Sequence, residues 1–543
     1  MIKKIPKEVI EVLKKLEKAG FKAYIVGGCV RDLFMDREPK DWDVATNAKP
    51  VEIQKFFPDS FYENDFGTVG IKTEKFIKNG NPDRDHDVVE ATTFRVESEY
   101  SDRRRPDEVK FAKTLEEDLE RRDFTINAMA LKLTTHNLKL KTQKTKSKKS
   151  YELQDTSYEI IDPFEGQKDL KDKIIRAVGI ADERFNEDAL RMMRAVRFFS
   201  ELNFVIEKKT KEAIKKNAKN LKFVSLERIK DELARIILSD NPARNATPAR
   251  NDQSGKLHST MLAGVATSGE HSVAGGPSEG IEVFHETGLL EYILPELEKG
   301  VGVKQNRHHI YTIYQHSVLS LKHCPSKKLE VRLAALLHDI AKPQTKRGEG
   351  EFATFYNHDH MGARIVEKIL TRLRFSSEII KKVKLLVDQH MFYYNPEEVG
   401  ESSVRRLIQK VGLENMKDLI DLRISDRLGS GVLKAKPYKL RHLEYVIEKV
   451  SRDAVSVKML KINGNDLIKE LKITPGPKIG AILDVLLAEV IEDASKNNKK
   501  ALLERAEVLE KENFEKLRQM AKVKIEEKKE EEDKKIKSKY WVK

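Results

Sequence analysis

Two aspartates one residue apart, Asp41 and Asp43, flank Trp42 in a stretch whose pattern predicts a β-strand. Residues i and i+2 of a strand point to one face, so this spacing sets the two carboxylates together and turns Trp42 toward the core. Paired carboxylates on a rigid strand are what two Mg²⁺ ions require, one to activate an attacking hydroxyl and one to hold a triphosphate and neutralise the leaving pyrophosphate. Glu90, in the strand-like Val88-Val89-Glu90-Ala91-Thr92, is a candidate third oxygen ligand, with an ordinary strand glutamate as the competing reading. Upstream, Val26-Gly27-Gly28-Cys29-Val30-Arg31-Asp32 places a glycine pair between a strand and a helix. Backbone amides there can approach phosphate oxygens with no Cβ in the way, and Arg31, one turn into the helix, can grip the same triphosphate. By itself a Gly-Gly turn reads as structural; the Asp-x-Asp that follows gives it weight.

A different constellation follows residue 300: His316, His338-Asp339, His358 or its near neighbour His360, His390 and Asp426. Singly, each histidine reads as a structural one. Together, His and Asp side chains suit a divalent transition metal, and a bound ion can lower the pKa of a water nucleophile to around 7. The candidates exceed the four ligands of a simple site, which leaves open two ions or a partly structural pair of histidines.

The elements that must position these groups are legible in outline. Residues 7–19 carry apolar side chains at helical spacing, and residues 23–26 form a short apolar strand ending in the glycine pair. Strand-like runs, including residues 87–95, alternate with helices to about residue 180, after which the pattern is almost wholly helical. The expected fold is an α/β head (1–180) on an all-α remainder: a helical neck (181–240), its continuation (281–300), a His/Asp unit (301–435), a helical body (436–520) and a charged tail (521–543) read as solvated. Residues 241–280, rich in Gly, Ser and Ala, are expected to be a disordered insertion. The Lys-rich residues 138–150 are expected to be a solvated loop, with RNA contact as the competing reading.

Composition narrows the setting. Lys plus Arg exceed Asp plus Glu by 102 to 88, a net charge of +14 that favours a polyanionic partner. Two cysteines, Cys29 and Cys324, make no disulfide framework, and no charged-then-apolar leader opens the sequence, so a reducing cytoplasm is expected. The apolar stretch 481–491 is interrupted by Asp484 and Glu489 and falls short of the roughly 20 residues that span a bilayer.

Within the neck, Met192, Ala195, Val196 and Phe199 follow i, i+3, i+4, i+7 spacing, which predicts a buried helix face with Asp188, Arg191 and Arg194 neighbouring one another elsewhere on that helix. These are either i, i+3 ion pairs on a solvated surface or a protein template for bases. Cytosine and adenine each offer an exocyclic amine beside an unprotonated ring nitrogen, so a carboxylate can accept from the first while a guanidinium donates to the second. Uracil and guanine present the reverse pattern and would leave two groups unpaired at roughly 1–3 kcal/mol each, on the order of hundredfold discrimination.

Gly-Gly-x-x-Arg-Asp followed by Asp-x-Asp resembles the nucleotidyltransferase superfamily that includes DNA polymerase β. Two further motifs, Arg121-Arg122-Asp123-Phe124-Thr125-Ile126-Asn127-Ala128 and residues 187–198 (EDALRMMRAVRF), resemble those of class II CCA-adding enzymes and bacterial poly(A) polymerases. The resemblance implies a polymerase β-like head in which Gly27, Gly28, Arg31 and Arg122 contact nucleotide and Asp41 and Asp43 bind Mg²⁺. It further implies that Asp188, Arg191, Arg194 and Arg197 read or hold incoming CTP or ATP, with tRNA as partner, held in part by residues 436–520. The family's flexible loop falls at residues 100–106, and Ser225-Leu226-Glu227-Arg228-Ile229 resembles another of its motifs. Ala189, where bacterial poly(A) polymerases usually have Pro, favours CCA addition over poly(A) synthesis, and the loop argues against CC-only addition; A-only addition stays open. His338-Asp339-Ile340-Ala341-Lys342-Pro343 resembles the HD phosphohydrolase superfamily, which implies hydrolysis of phosphomonoesters or cyclic phosphodiesters. The reading from another class is an RNA-binding HD phosphohydrolase whose head is inactive.

Overall fold

The apolar spacing near the start of the chain produces helix α1 (Lys7–Lys18), which buries Val9, Ile10, Val12, Leu13 and Leu16 in the core beneath a mixed sheet. The computed structural model describes residues 5–62, 67–73, 88–97, 109–133, 158–240, 275–306, 310–432, 434–452 and 460–542. The expected flexible loop at 100–106, the Lys-rich 138–150 and residues 241–274 lie outside them.

The strands that position the site are β1 (Ala23–Val26), β2 (Trp42–Thr46), β3 (Ser60–Tyr62), β4 (Thr68–Lys72), β5 (Val88–Thr93), β6 (Arg95–Glu97), β7 (Val109–Phe111), β8 (Ala130–Leu133) and β9 (Tyr158–Ile161). Seven of them form one sheet in the order β3-β4-β5-β2-β1-β8-β9, while β6 and β7 pair as a separate ribbon. Within the large sheet β2 and β5 run parallel, and their register sets Asp43 beside Glu90. Trp42 and Val44 enter the core shared with α1, α2 (Gly28–Phe34) and α3 (Pro50–Phe56). Ala45 turns the other way, toward Phe94 and the Leu115 and Leu119 side chains of α4 (Leu115–Glu120). Alternation therefore puts Asp43 on the α4 side.

Downstream the chain is helical, and its main helices are α5 (Leu190–Leu202), α6 (Leu226–Leu238), α7 (Ile313–Lys322), α8 (Leu329–Leu337), α9 (His358–Arg372), α10 (Ser377–Asp388), α11 (Leu413–Gly429), α12 (Tyr438–Arg452) and α13 (Phe514–Tyr540). One apolar cluster runs from Phe124 through Val196, Leu233, Phe284 and Leu336 to Leu443. The expected neck (181–240) and His/Asp unit (301–435) thus share a core rather than having one each. A buried arginine ties them as well: Arg332 of α8 donates through Nη1 to the carbonyl oxygens of Ile237 at 2.8 Å and Ser239 at 3.0 Å, closing the end of α6.

Two other boundaries are corrected. The insertion expected over 241–280 ends earlier, because Pro277–Glu286 is a helix with Pro277 in its first turn and Ser278 buried. A Cβ on Gly280 would lie 2.4 Å from Ser200 Oγ, so this helix packs closely on α5. The tail expected to be solvated over 521–543 belongs to α13, which starts in a second core around Leu467, Ile482, Leu486 and Leu517 and ends with Ile536 and Val542 in the large one. Asp533 pairs with Tyr445, and Lys539 Nζ lies 2.7 Å from Glu448, so charged side chains of the tail dock it on α12. Among the described residues no helix is long and apolar enough to cross a membrane.

Candidate active site

A cavity of about 500 Å³ lies between the α4 side of the sheet and helices α5 and α6. Gly27, Gly28, Arg31, Asp41, Asp43, Glu90, Arg122, Asp188, Arg191, Arg194 and Arg197 all line it. Chain segments far apart in sequence are brought to one space, as the motifs lead one to expect.

The acidic floor comes from the sheet. Asp41 sits one residue ahead of β2 rather than within it and is exposed, while Asp43 and Glu90 are half-buried register partners. Gly27, with φ +80, forms the turn between β1 and α2. The positive φ favours glycine, and a Cβ there would lie 2.8 Å from Arg122 Nη1 and 3.3 Å from Asp43 Oδ2, so a side chain would push Arg122 from its place.

The basic wall is held by buried carboxylates. Asp118 on α4 accepts from Arg121 Nε at 3.0 Å and from Arg122 Nη2 at 3.0 Å. Burial works to raise the Asp118 pKa, but the two guanidiniums outweigh it and hold the pKa below the usual range. Burial likewise opposes the charge on Arg122; Asp118, and then Asp43, outweigh it and raise its pKa. Asp123 accepts from Arg194 Nε at 2.6 Å and Asn127 Nδ2 at 3.2 Å, and Asn127 Oδ1 accepts from Arg31 Nη1 at 2.8 Å. Against the pull of burial, Arg194 and these hydrogen bonds lower the Asp123 pKa to about 2. Phe198 lies among three guanidiniums, those of Arg31, Arg194 and Arg197, at 5.2, 5.6 and 4.3 Å from its ring centre.

The expected neighbourhood of Asp188, Arg191 and Arg194 on one helix is corrected. Asp188 has extended backbone, φ −139 and ψ 104, ahead of the first turn of α5, and is paired with Arg228 of α6. Arg191 donates to Glu187 Oε2 at 2.5 Å and to the Arg121 carbonyl at 3.0 Å, Arg194 turns to Asp123, and Arg197 pairs with Glu232 at 2.7 Å. Of the predicted buried face, Met192, Ala195 and Val196 are fully buried, while Phe199 is only half-buried. Sequence reasoning assigned no role to Asp118, Asp123, Asn127 or Arg228, although Asp123, Asn127 and Arg228 stood in the quoted motifs.

The second constellation also assembles. His316 Nε2 lies 3.0 Å from His338 Nε2, 3.2 Å from Asp339 Oδ2 and 3.4 Å from Asp426 Oδ1. Asp339 Oδ1 lies 3.4 Å from His358 Nε2 and 3.9 Å from His390 Nε2. The Nδ1 atoms of His338, His358 and His390 face the carbonyls of Ala335, Phe355 and Val387 at 3.0, 2.7 and 2.6 Å. A proton on Nδ1 leaves each Nε2 as an inward lone pair, the tautomer that binds metal. The Nε2 atoms of His358 and His390 are buried with no hydrogen-bond partner among the described residues, which fits an ion between these rings. Burial lowers the His390 pKa to about 3, which keeps this ring neutral. His360 is not part of this cluster: it is exposed and pairs through Nδ1 with Asp388 at 2.7 Å. Sequence reasoning gave Lys342 no role, yet its Nζ lies 2.7 Å from Asp339 Oδ2.

The chain is similar to known proteins along most of its length. The Poly A polymerase head domain family matches residues 23–176, and the family described as the probable RNA and SrmB-binding site of polymerase A matches residues 203–248. The putative tRNA nucleotidyltransferase domain 2 matches residues 353–506, crossing the boundary expected at 435. A CCA-adding enzyme of Ligilactobacillus salivarius is 31% identical over 506 residues, covering 93% of this chain and 96% of that protein. One from Lactobacillus delbrueckii subsp. bulgaricus is 45% identical over 232 residues; that match takes in 42% of this chain and half the relative's length. Among solved structures, the Bacillus stearothermophilus CCA-adding enzyme in complex with CTP matches with a TM-score of 0.53 and 25% identity, covering 93% of this chain and 98% of that one.

Proposed function

Because the chain belongs to the family of CCA-adding enzymes, we propose that it adds CMP, CMP and AMP to the 3′ end of tRNA without a nucleic-acid template, in the cytoplasm. The observation that carries this reading is one cavity holding the acid pair, the arginine wall and the Asp188 carboxylate together. Asp41 and Asp43, with Glu90 beside them, are carboxylate donors suited to Mg²⁺, which when bound lowers the pKa of the attacking 3′ hydroxyl and neutralises the leaving pyrophosphate. The protein's own groups do the rest. Gly27 and Gly28 let the triphosphate approach the backbone, and Arg31 and Arg122 donate to its oxygens. Asp188 accepts a hydrogen bond from the exocyclic amine of cytosine or adenine, while Arg191, Arg194 and Arg197 line the same cavity and hold the incoming nucleotide. Basic surface on the helical body holds the tRNA.

Incubating the protein with tRNA trimmed of its last three nucleotides, in CTP, ATP, both, or UTP with GTP, tests the reading. Three added nucleotides are expected with CTP and ATP together. A long ladder with ATP alone would mean poly(A) synthesis instead, and one- or two-nucleotide products would mean partial addition.

A second reaction is proposed at the other site, on the observation that buried Nε2 atoms converge on Asp339. His316, His338, Asp339, His358, His390 and Asp426 would hold one or two divalent transition-metal ions, which supply an activated water for hydrolysing a phosphomonoester or 2′,3′-cyclic phosphodiester. Replacing His338 and Asp339 together with Ala is expected to abolish metal-dependent phosphohydrolase activity and spare nucleotide addition. Loss of both activities would assign the cluster to the shared core instead.

A further inference from the structure

Arg228 faces the cavity from α6, yet the chemistry above gives it nothing to do. Its Nη2 donates to Asp188 Oδ2 at 2.6 Å and its Nη1 to Asp188 Oδ1 at 3.2 Å, a two-point fork on one carboxylate. Oδ1 accepts a third hydrogen bond from the Leu190 backbone N–H at 3.0 Å. A carboxylate offers about four lone-pair directions. Three are taken, and the remaining one belongs to Oδ2, in a plane that the guanidinium defines.

That plane needs an external support. Asp188 stands in the break between the helix Ala181–Glu187 and α5; its backbone bonds to Arg184 and Arg191 but is extended, so its side chain does not ride on a helix face. One turn beyond Arg228, Glu232 of α6 holds Arg197 at 2.7 Å, and the far end of α6 is closed by the buried Arg332. The helix that grips Asp188 is itself anchored at its middle and at its far end.

We infer that Arg228 is a specificity-determining positioning residue: it fixes the Asp188 carboxylate so that a single acceptor direction is left for the exocyclic amine of cytosine or adenine. This rests on the proposed function. A carboxylate released from the fork can rotate, offering its oxygens in several directions and letting water bridge to the carbonyl of uracil or guanine. Discrimination falls even where binding persists. A role confined to holding α5 and α6 together would instead weaken all four nucleotides alike.

The test uses full-length wild-type, Arg228→Gln and Arg228→Lys proteins with tRNA lacking its last three nucleotides, and with tRNA lacking only the final one. Specificity ratios are read as kcat/KM for CTP over UTP on the first substrate and ATP over GTP on the second, with melting temperature measured alongside. Arg228→Gln is expected to lower each ratio at least tenfold, with Arg228→Lys, which keeps the charge but loses the fork, in between. Values that fall in proportion, with the ratios intact, overturn the inference. If Arg228→Gln does not fold, a wild-type ratio in Arg228→Lys overturns it alone. Failure of the wild-type protein to add three nucleotides would instead overturn the function on which the inference rests.

Discussion

Asp43 on β2 and Glu90 on β5 are register partners across the parallel pairing of the sheet, so their carboxylates leave the same face side by side. Asp43→Ala is expected to reduce nucleotide addition by on the order of a thousandfold or more, because the proposed Mg²⁺ site loses a carboxylate. Glu90→Gln keeps the shape and loses the charge, and is expected to lower kcat tenfold or more. Affinity for tRNA, measured by filter binding, should stay within a few-fold in both. Wild-type incorporation by Glu90→Gln would remove Glu90 from the metal set.

Gly27→Ala places a methyl group 2.8 Å from Arg122 Nη1 at a residue with φ +80. The left-handed backbone costs an alanine roughly 1–2 kcal/mol, and Arg122 must move. The KM for CTP is expected to rise roughly tenfold. An unchanged KM would show that neither Arg122 nor the turn bears on the triphosphate.

Asp123 carries a pH dependence whose sign follows from its lowered pKa. Its folded pKa is about 2 against an ordinary 3.8, so its contribution to stability is fully present above about pH 4 and is lost as pH falls toward 2. A shift of this size corresponds to roughly 2 kcal/mol for a buried group. Asp123→Asn should show a shallower fall in denaturation midpoint than wild type between pH 4 and 2. Parallel curves for the two proteins would contradict this.

The second site depends on a close helix crossing. A Cβ on Gly429 of α11 would lie 2.2 Å from Ser320 Oγ and 2.8 Å from Ser320 N of α7. His316 is one turn before Ser320, and Asp426 one turn before Gly429, so an added methyl group separates two proposed ligands. Gly429→Ala is expected to weaken Mn²⁺ binding, titrated calorimetrically, at least tenfold. Wild-type affinity would mean that the crossing does not set the ligand geometry.

Removing residues 243–272 with a short Gly-Ser join should leave nucleotide addition within a few-fold of wild type, since shortening a connection changes closure entropy only slightly. Extending the deletion through residue 280 should cost soluble protein, because Ser278 is buried and Gly280 packs against Ser200. Insolubility of the shorter deletion would place residues 243–272 within the fold.

Features with short-range physical causes were legible along the chain. Strand alternation turned Trp42 into the core and Asp43 away from it, the glycine pair marked the turn between β1 and α2, and helical spacing placed Met192, Ala195 and Val196 in the core. Residue type, with the resemblance of His338-Asp339 to the HD superfamily, also singled out His316, His338, Asp339, His390 and Asp426, which the fold brings together. Pairings across distance were decided by the tertiary structure alone. Glu90 gained its place from strand register, and Asp188 found Arg228 forty residues away rather than Arg191 or Arg194, because it precedes α5 instead of riding on it. The choice between His358 and His360 turned on helix phase. Two residues apart on α9 are roughly 200° apart in direction, so one ring enters the cluster and the other meets Asp388 at the surface. The charged tail was misread for the same reason: which face of α13 is covered depends on what packs there, and local composition carries no record of α12.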